Sequence, residues 1–312
     1  MATAGGSNIA VYGAIAANIL IAIAKFIGAS ITGSSAMLAE GIHSLVDTGN
    51  GGLILLGIKR SKMKSSKMHP FGYGKEVYFW SFVVSMLIFA VGGGFAIYEG
   101  IHALQNPSIV EDPTINYIVL GAAIIFEGIA LIIALRSFNK SRKGSHNLIK
   151  NIIKSKDAAT FAIIIEDSAA VFGLLIALIG TFLSQYLQNP YLDGSASILI
   201  GMVLLTVSIF LARESKGLLL GESADDVVLD AINEILKNHP KVEHWKLPQT
   251  MHFGPHNILL TLEIEFLDGM KLEEVEKTIV GLREEIKKQQ PSVTKIFIHA
   301  VDLPQLKNAA DE

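Results

Sequence analysis

The chain has 312 residues, of which 50% are hydrophobic and only 18% charged, and its mean hydropathy is +0.44. These values exclude both a single soluble globule and a disordered chain. The net charge of −3 offers no polycationic surface for nucleic acid, and the absence of cysteine excludes disulfides, thiolate zinc sites, iron–sulfur clusters and cysteine nucleophiles. Charge is spread unevenly: residues 1–213 carry 15 Lys/Arg against 11 Asp/Glu, whereas residues 214–312 carry 11 against 18. Two domains are expected, a membrane domain over 1–213 and an acidic cytoplasmic domain over 214–312.

A bilayer core of about 30 Å takes roughly 20 apolar residues in a helix. Six stretches qualify, at 8–29, 34–58, 78–104, 114–136, 158–184 and 192–212. The first lacks the basic start and short core of a signal peptide and reads as a retained span. The connections alternate in basic charge. Residues 30–33, 105–113 and 185–191 have no Lys or Arg, whereas 59–75 and 136–156 have six and seven. The positive-inside rule then predicts that both termini are cytoplasmic. No transit-type leader precedes the first span, which points to a bacterial inner membrane.

Ionisable groups in hydrocarbon cost about 2.5–3.5 kcal/mol each even on the lenient insertion scale, so those inside the spans carry most of the information. In span two, His43 and Asp47 stand four apart and share a helix face. They fall near mid-depth, as do Glu166 and Asp167 in span five, which runs the other way. An imidazole with two carboxylates, from His43, Asp47 and Asp167, suits zinc or the related divalent ions of Mn, Fe and Co. A buried His–Asp pair that only orders the bundle is the alternative. Glu127 in span four is a proton carrier, a further ligand or a buried neutral carboxyl. Asn18 in span one lines the same cavity or bonds a neighbouring helix. Lys25 snorkels outward or pairs with Glu40. Gly92-Gly93-Gly94 in span three reads as a close-packing or bending device.

Beyond Gly221 the pattern changes. Residues 224–238 have helical spacing, 244–254 and 257–267 read as strands, 271–289 form an amphipathic helix and 295–303 a last strand. The order α-β-β-α-β predicts a small ferredoxin-like α+β domain. His244, His252, His256 and His299 make it histidine-rich. They are either a cytoplasmic metal-sensing set or exposed histidines at strand ends. His252 and His256 flank Gly254-Pro255, which predicts a hairpin turn between them.

Six spans, His43-xxx-Asp47 with Asn50 three residues on, HPFGYGKE at 69–76 and DGSASILIG at the start of span six resemble the cation diffusion facilitators. The EDSAA stretch is similar to the branch that includes vertebrate zinc transporter nine. The resemblance covers nearly the whole chain. It implies a homodimeric antiporter of divalent cations and protons, with two metal ligands in span two and two in span five. The family pattern puts its fourth ligand at Ile163, which cannot coordinate metal. Glu166 then completes a His/Asp/Asp/Glu set, a harder ligand group more tolerant of Mn(II), Fe(II) or Co(II) than a two-His site. His299 with Asp302 resembles the family's terminal metal-binding stretch, with one residue more between them. The HPFGYG loop is expected to be structural or to lie at the membrane surface, and the Lys-rich 59–67 to meet anionic lipid headgroups.

The expected protein is thus a polytopic α-helical membrane protein of six transmembrane helices with a C-terminal cytoplasmic ferredoxin-like domain. Its expected function is proton-coupled efflux of divalent metal (Zn, with Mn, Fe(II) or Co) by alternating access. A metal-gated channel and a non-transporting metal sensor are the alternatives. No H-E-x-x-H motif supports an intramembrane metallohydrolase, so no enzyme activity is expected.

Overall fold

The structure is a computed structural model that describes residues 4–107, 112–141 and 157–303, with side chains described over 18–107, 112–138 and 157–303. The chain divides into two compact units, 1–59 with 78–216 and 60–77 with 217–312. Residues 60–77 therefore belong to the same unit as the C-terminal domain, a placement that charge and hydropathy along the chain do not contain.

The first unit is helical. Its helices are α1 (Ala4–Thr32), α2 (Ser35–Ser61), α3 (Glu76–Leu87), α4 (Gly94–Gln105), α5 (Thr114–Ser141), α6 (Ala158–Tyr186) and α7 (Tyr191–Leu220). Among the described residues, four helices are long and apolar enough to cross a membrane: 76–105, 114–138, 158–186 and 191–220. The described apolar part of α1, 18–32, is shorter. In α2 the polar residues His43, Ser44, Asp47, Thr48 and Asn50 dilute the apolar character of a 27-residue helix.

A π-helical turn, Ile88–Gly93, joins α3 to α4 within one continuous 30-residue helix. It contains two of the three consecutive glycines, and close approach explains their need. A Cβ on Gly93 would lie 3.1 Å from the Gly201 carbonyl oxygen, and one on Gly201 would lie 2.9 Å from the Gly93 carbonyl oxygen. The α3–α4 helix and α7 thus touch backbone to backbone, the small-residue packing that replaces hydrophobic attraction inside lipid.

The start of α2 is held by a residue distant in sequence. Asp193, in the first turn of α7, accepts from the Ser35 and Ala36 backbone N–H groups at 2.6 and 3.3 Å. It also accepts from the Ser34 and Ser35 hydroxyls at 2.7 and 3.0 Å. A helix leaves its first N–H groups without intrahelical partners, and a carboxylate there also meets the positive end of the helix dipole.

The second unit carries α8 (Asp226–Asn238), β1 (Val242–Trp245), β2 (Gln249–Gly254), β3 (Asn257–Phe266), α9 (Leu272–Gln289) and β4 (Val293–Ala300). The long strand β3 is the spine. It pairs antiparallel with β2 and β1 along its two halves and parallel with β4. The strand expected over 244–254 is in fact two, because Pro248 lacks the N–H needed to continue the ladder. The observed order is α-β-β-β-α-β. Alternation in β3 sends Ile258, Leu260, Leu262 and Ile264 inward, where they meet Ile232 and Leu236 of α8 and Leu282 and Ile286 of α9. Each such side chain contributes about 1.5–3 kcal/mol on burial. The turn at Pro255-His256 is the expected hairpin.

The HPFGYG segment lies on the edge of this sheet. Phe71 stacks on Phe253 at 5.1 Å, and the Lys295 ammonium sits 4.3 Å from the Phe71 ring centre. Lys75 donates to the Leu219 carbonyl at 3.1 Å, and its ammonium is 5.1 Å from the Phe253 ring centre. Gly74 touches the Phe253 carbonyl so closely that any Cβ would collide with it. Gly74→Ala is therefore expected to detach this segment and speed proteolysis at Lys62–Lys67, as limited trypsin digestion would read. Unchanged cleavage would show that the contact is dispensable.

Candidate metal site

The polar residues of the membrane helices form two adjoining groups. The larger lines a cavity of about 280 Å³ between α1, α2, α5 and α6, with Asn18, Asp47, Glu127, Glu166 and Asp167 in its wall beside Ile163. Four carboxyl groups from three helices thus face one space inside an apolar bundle.

Their positions follow from local structure. Asp47 and Asn50 lie three apart on α2 and present adjacent groups to α6. Asn50 donates to Glu166 Oε1 at 2.6 Å, and the Asp47 and Glu166 carboxyl groups share the cavity wall. Two carboxyl groups brought together in an apolar site are best accommodated by sharing a proton, and a cation can take that proton's place. The α6 helix is registered by its own start, where Asp157 accepts from the Thr160 backbone N–H and hydroxyl at 3.3 and 2.7 Å.

His43 is 1% exposed, and its Nδ1 lies 3.3 Å from Asp47 Oδ1. It is not part of the cavity wall; it stands behind Asp47. Neither of its ring nitrogens has a hydrogen-bond partner, and Asp47 Oδ1 and Asn50 Oδ1 also lack one. Orphaned buried acceptors are costly, and a bound cation satisfies them. This donor set, one imidazole nitrogen with carboxylate and amide oxygens, fits a borderline-to-hard divalent ion. Among the described residues, however, no three His, Asp or Glu side chains converge on a common metal position. Glu166 is tied to Asn50 across the α2–α6 contact instead.

The residues singled out in the sequence are therefore distributed as follows. Asp47, Glu166, Asp167, Glu127 and Asn18 share the cavity, while His43 adjoins it through Asp47. Asn50 was legible only as part of a motif, and its bond to Glu166 shows what it holds. Lys25 takes the paired alternative: it is buried and donates to Glu40 Oε2 at 3.0 Å rather than snorkelling.

In the C-terminal unit the histidines are dispersed. His252 on β2 is buried, with Nδ1 3.4 Å from the Gly254 carbonyl oxygen, and His256 is exposed in the turn. His244 on β1 is opposite Glu265, and His299 on β4 is exposed and opposite Glu263. Asp302 lies just past β4.

Several relatives of this chain are named for the transport or tolerance of metals. The human mitochondrial proton-coupled zinc antiporter SLC30A9 is 32% identical over 257 residues, 82% of this chain and 45% of that protein. Metal tolerance protein C4 of Arabidopsis thaliana is 30% identical over 269 residues, 86% of this chain and 59% of that protein. The manganese efflux system protein MneP of Bacillus subtilis is 25% identical over 288 residues, 92% of this chain and 93% of that protein. The chain thus spans about half the length of the human relative. The cation efflux transmembrane domain matches residues 11–220, a stretch that contains every cavity-lining residue, and the chain belongs to this cation efflux family.

Proposed function

We propose that the protein exports a divalent transition-metal cation in exchange for protons, through six spans with both termini in the cytoplasm. The observation that carries this reading is the single cavity into which Asp47, Glu127, Glu166 and Asp167 all face. Metal ligands must be deprotonated, so binding of the cargo releases protons. A cation entering between Asp47 and Glu166 displaces the proton they share, and His43 behind Asp47 adds a nitrogen ligand. Asn50 keeps Glu166 turned towards α2 in both states. The bundle then opens to the other side, where protons displace the metal. Two such chains form a dimer, and the C-terminal domain holds it.

Zinc is the first candidate cargo, because the human and other vertebrate relatives are named as zinc antiporters. Manganese is the second, because the Bacillus relative is named for it and the cavity is rich in oxygen. Flux of Zn, Mn(II), Fe(II) and Co(II) into sealed proteoliposomes under an imposed pH gradient tests the reading. Uptake that follows the proton gradient is expected. Ohmic, proton-independent flux would replace exchange with a channel, and binding without flux would replace it with a sensor.

Ile163 stands one helical turn before Asp167 in the cavity wall. Ile163→His is expected to shift preference from manganese towards zinc by about tenfold, since imidazole favours zinc over the harder ion. Competition between the two metals in the same vesicles measures it, and an unchanged ratio would remove position 163 from the cargo's surroundings.

A further inference from the structure

The second polar group of the helix bundle lies outside the cavity. Lys25 on α1 and Glu40 on α2 are both wholly buried. The Lys25 ammonium donates to Glu40 Oε2 at 3.0 Å and to Ser44 Oγ at 2.7 Å. The other Glu40 oxygen is buried without a hydrogen-bond partner and rests against Gly173 on α6.

Adhesion alone does not account for this pair. Moving an ammonium and a carboxylate out of water costs several kcal/mol per ion, and two well-packed apolar side chains would join α1 to α2 at less cost. Its placement suggests a different purpose. Glu40, Ser44 and Asp47 follow at spacings of four and three along one face of α2. The ammonium is held between Glu40 and Ser44, so the positive end of the ion pair lies on the Ser44 side of Glu40, the side on which Asp47 follows. Ser44 adjoins His43 in sequence and stands three residues before Asp47 on the same helix, and Asp47 shares the cavity wall with Glu127 of α5 and Glu166 and Asp167 of α6.

We infer that Lys25 is a positioning residue for the cargo: a tethered cation, held by Glu40 and Ser44, that weakens the cavity's grip on a divalent ion enough for the ion to leave. The inference rests on the reading of the cavity as the transport site. Coulomb repulsion scales with charge, so a fixed ammonium opposes a doubly charged cargo twice as strongly as a proton at the same distance. It therefore biases the exchange of the metal for the one proton shared by Asp47 and Glu166 towards metal release. Tight binding without release lowers KM and gains no turnover.

Calorimetric titration of the detergent-solubilised full chain with zinc and with manganese(II) tests this, comparing wild type with Lys25→Met/Glu40→Gln, a nearly isosteric neutral pair. The Kd of the double variant is expected to fall by about tenfold or more. In proteoliposomes KM and the maximal rate of flux should fall together, a split that loss of a merely structural contact does not produce. A Kd within about twofold of wild type, with turnover retained, would overturn the inference and leave the pair as a fastener. If the double variant does not fold, Ser44→Ala decides. The ammonium then draws back to Glu40, and Kd is expected to fall by about threefold, whereas an unchanged Kd overturns the inference. Wild type that binds neither metal, or binds it equally well as Asp47→Asn, sinks the transport-site reading and this inference with it. Metal binding that needs Asp47 yet ignores the Lys25 pair sinks this inference alone.

Discussion

Asp47→Asn is expected to reduce metal flux by at least about 100-fold, which corresponds to roughly 2.7 kcal/mol of lost stabilisation. The substitution keeps the size of the side chain and removes its charge. It also ends the sharing of a proton with Glu166, because an amide cannot be exchanged between the two states that a carboxyl group offers. The helix bundle should remain intact, since Asn fits the same volume and still reaches His43. Asn50→Ala should act more mildly. It breaks the 2.6 Å bond that orients Glu166, and loss of such an orienting partner costs about 10–100-fold in metal affinity or activity. Flux in proteoliposomes under a pH gradient measures both variants. If Asp47→Asn transports like wild type, the cavity is not the route of the cargo, and the buried His43–Asp47 pair is left with the bland role of ordering the bundle.

Asp193→Ala is expected to destabilise the membrane unit by about 3 kcal/mol. The carboxylate is 5% exposed and accepts four hydrogen bonds from Ser34, Ser35 and Ala36. Removing it leaves two hydroxyls and two backbone N–H groups at the head of α2 without an acceptor in a site that excludes water. Asp193→Asn keeps one acceptor oxygen and loses the charge that complements the helix dipole, so it should fall between wild type and alanine. Thermal unfolding of the purified protein in detergent reads the series. Three proteins that melt together would mean that α2 is seated by its packing rather than by this clasp. The consequence reaches function, because α2 carries His43, Asp47 and Asn50, and a helix loose at its head presents them less well.

Much of the architecture is legible along the chain. Long apolar runs end at polar, Gly- or Pro-containing connections, and most helices begin and end within a few residues of those runs, whereas α7 continues to Leu220, well past the run expected over 192–212. Strand β3 is legible from alternation in LLTLEIEF, and α9 ends before Pro291 as expected. The single strand expected over 244–254 failed because one apolar-to-polar pattern continues through Pro248, where the backbone cannot keep pairing. Candidate site residues were legible because charge inside a hydrocarbon-length helix is expensive and so draws attention. That signal identifies groups, but it says nothing about which partner each one meets. It singled out His43 together with Asp47 and Asp167, yet His43 stands behind Asp47, whereas Asp47 and Asp167 share the cavity wall with Glu127 and Glu166.

By itself the sequence determined the helical membrane unit, the acidic α/β unit after it and the set of polar residues placed within the apolar helices. These depend on composition and on periods of 3.6 and 2, which are properties of short windows. Only the tertiary structure decided that Asp193 seats α2, that HPFGYG lies on the edge of the β-sheet, that Lys25 is buried against Glu40 and Ser44, and that Asn50 holds Glu166. Each of these joins elements far apart in the chain and depends on how helices are rotated about their axes. One residue advances an α-helix by about 100°, so the rotation of each helix decides which of its polar groups meets which neighbour, and no local pattern specifies it.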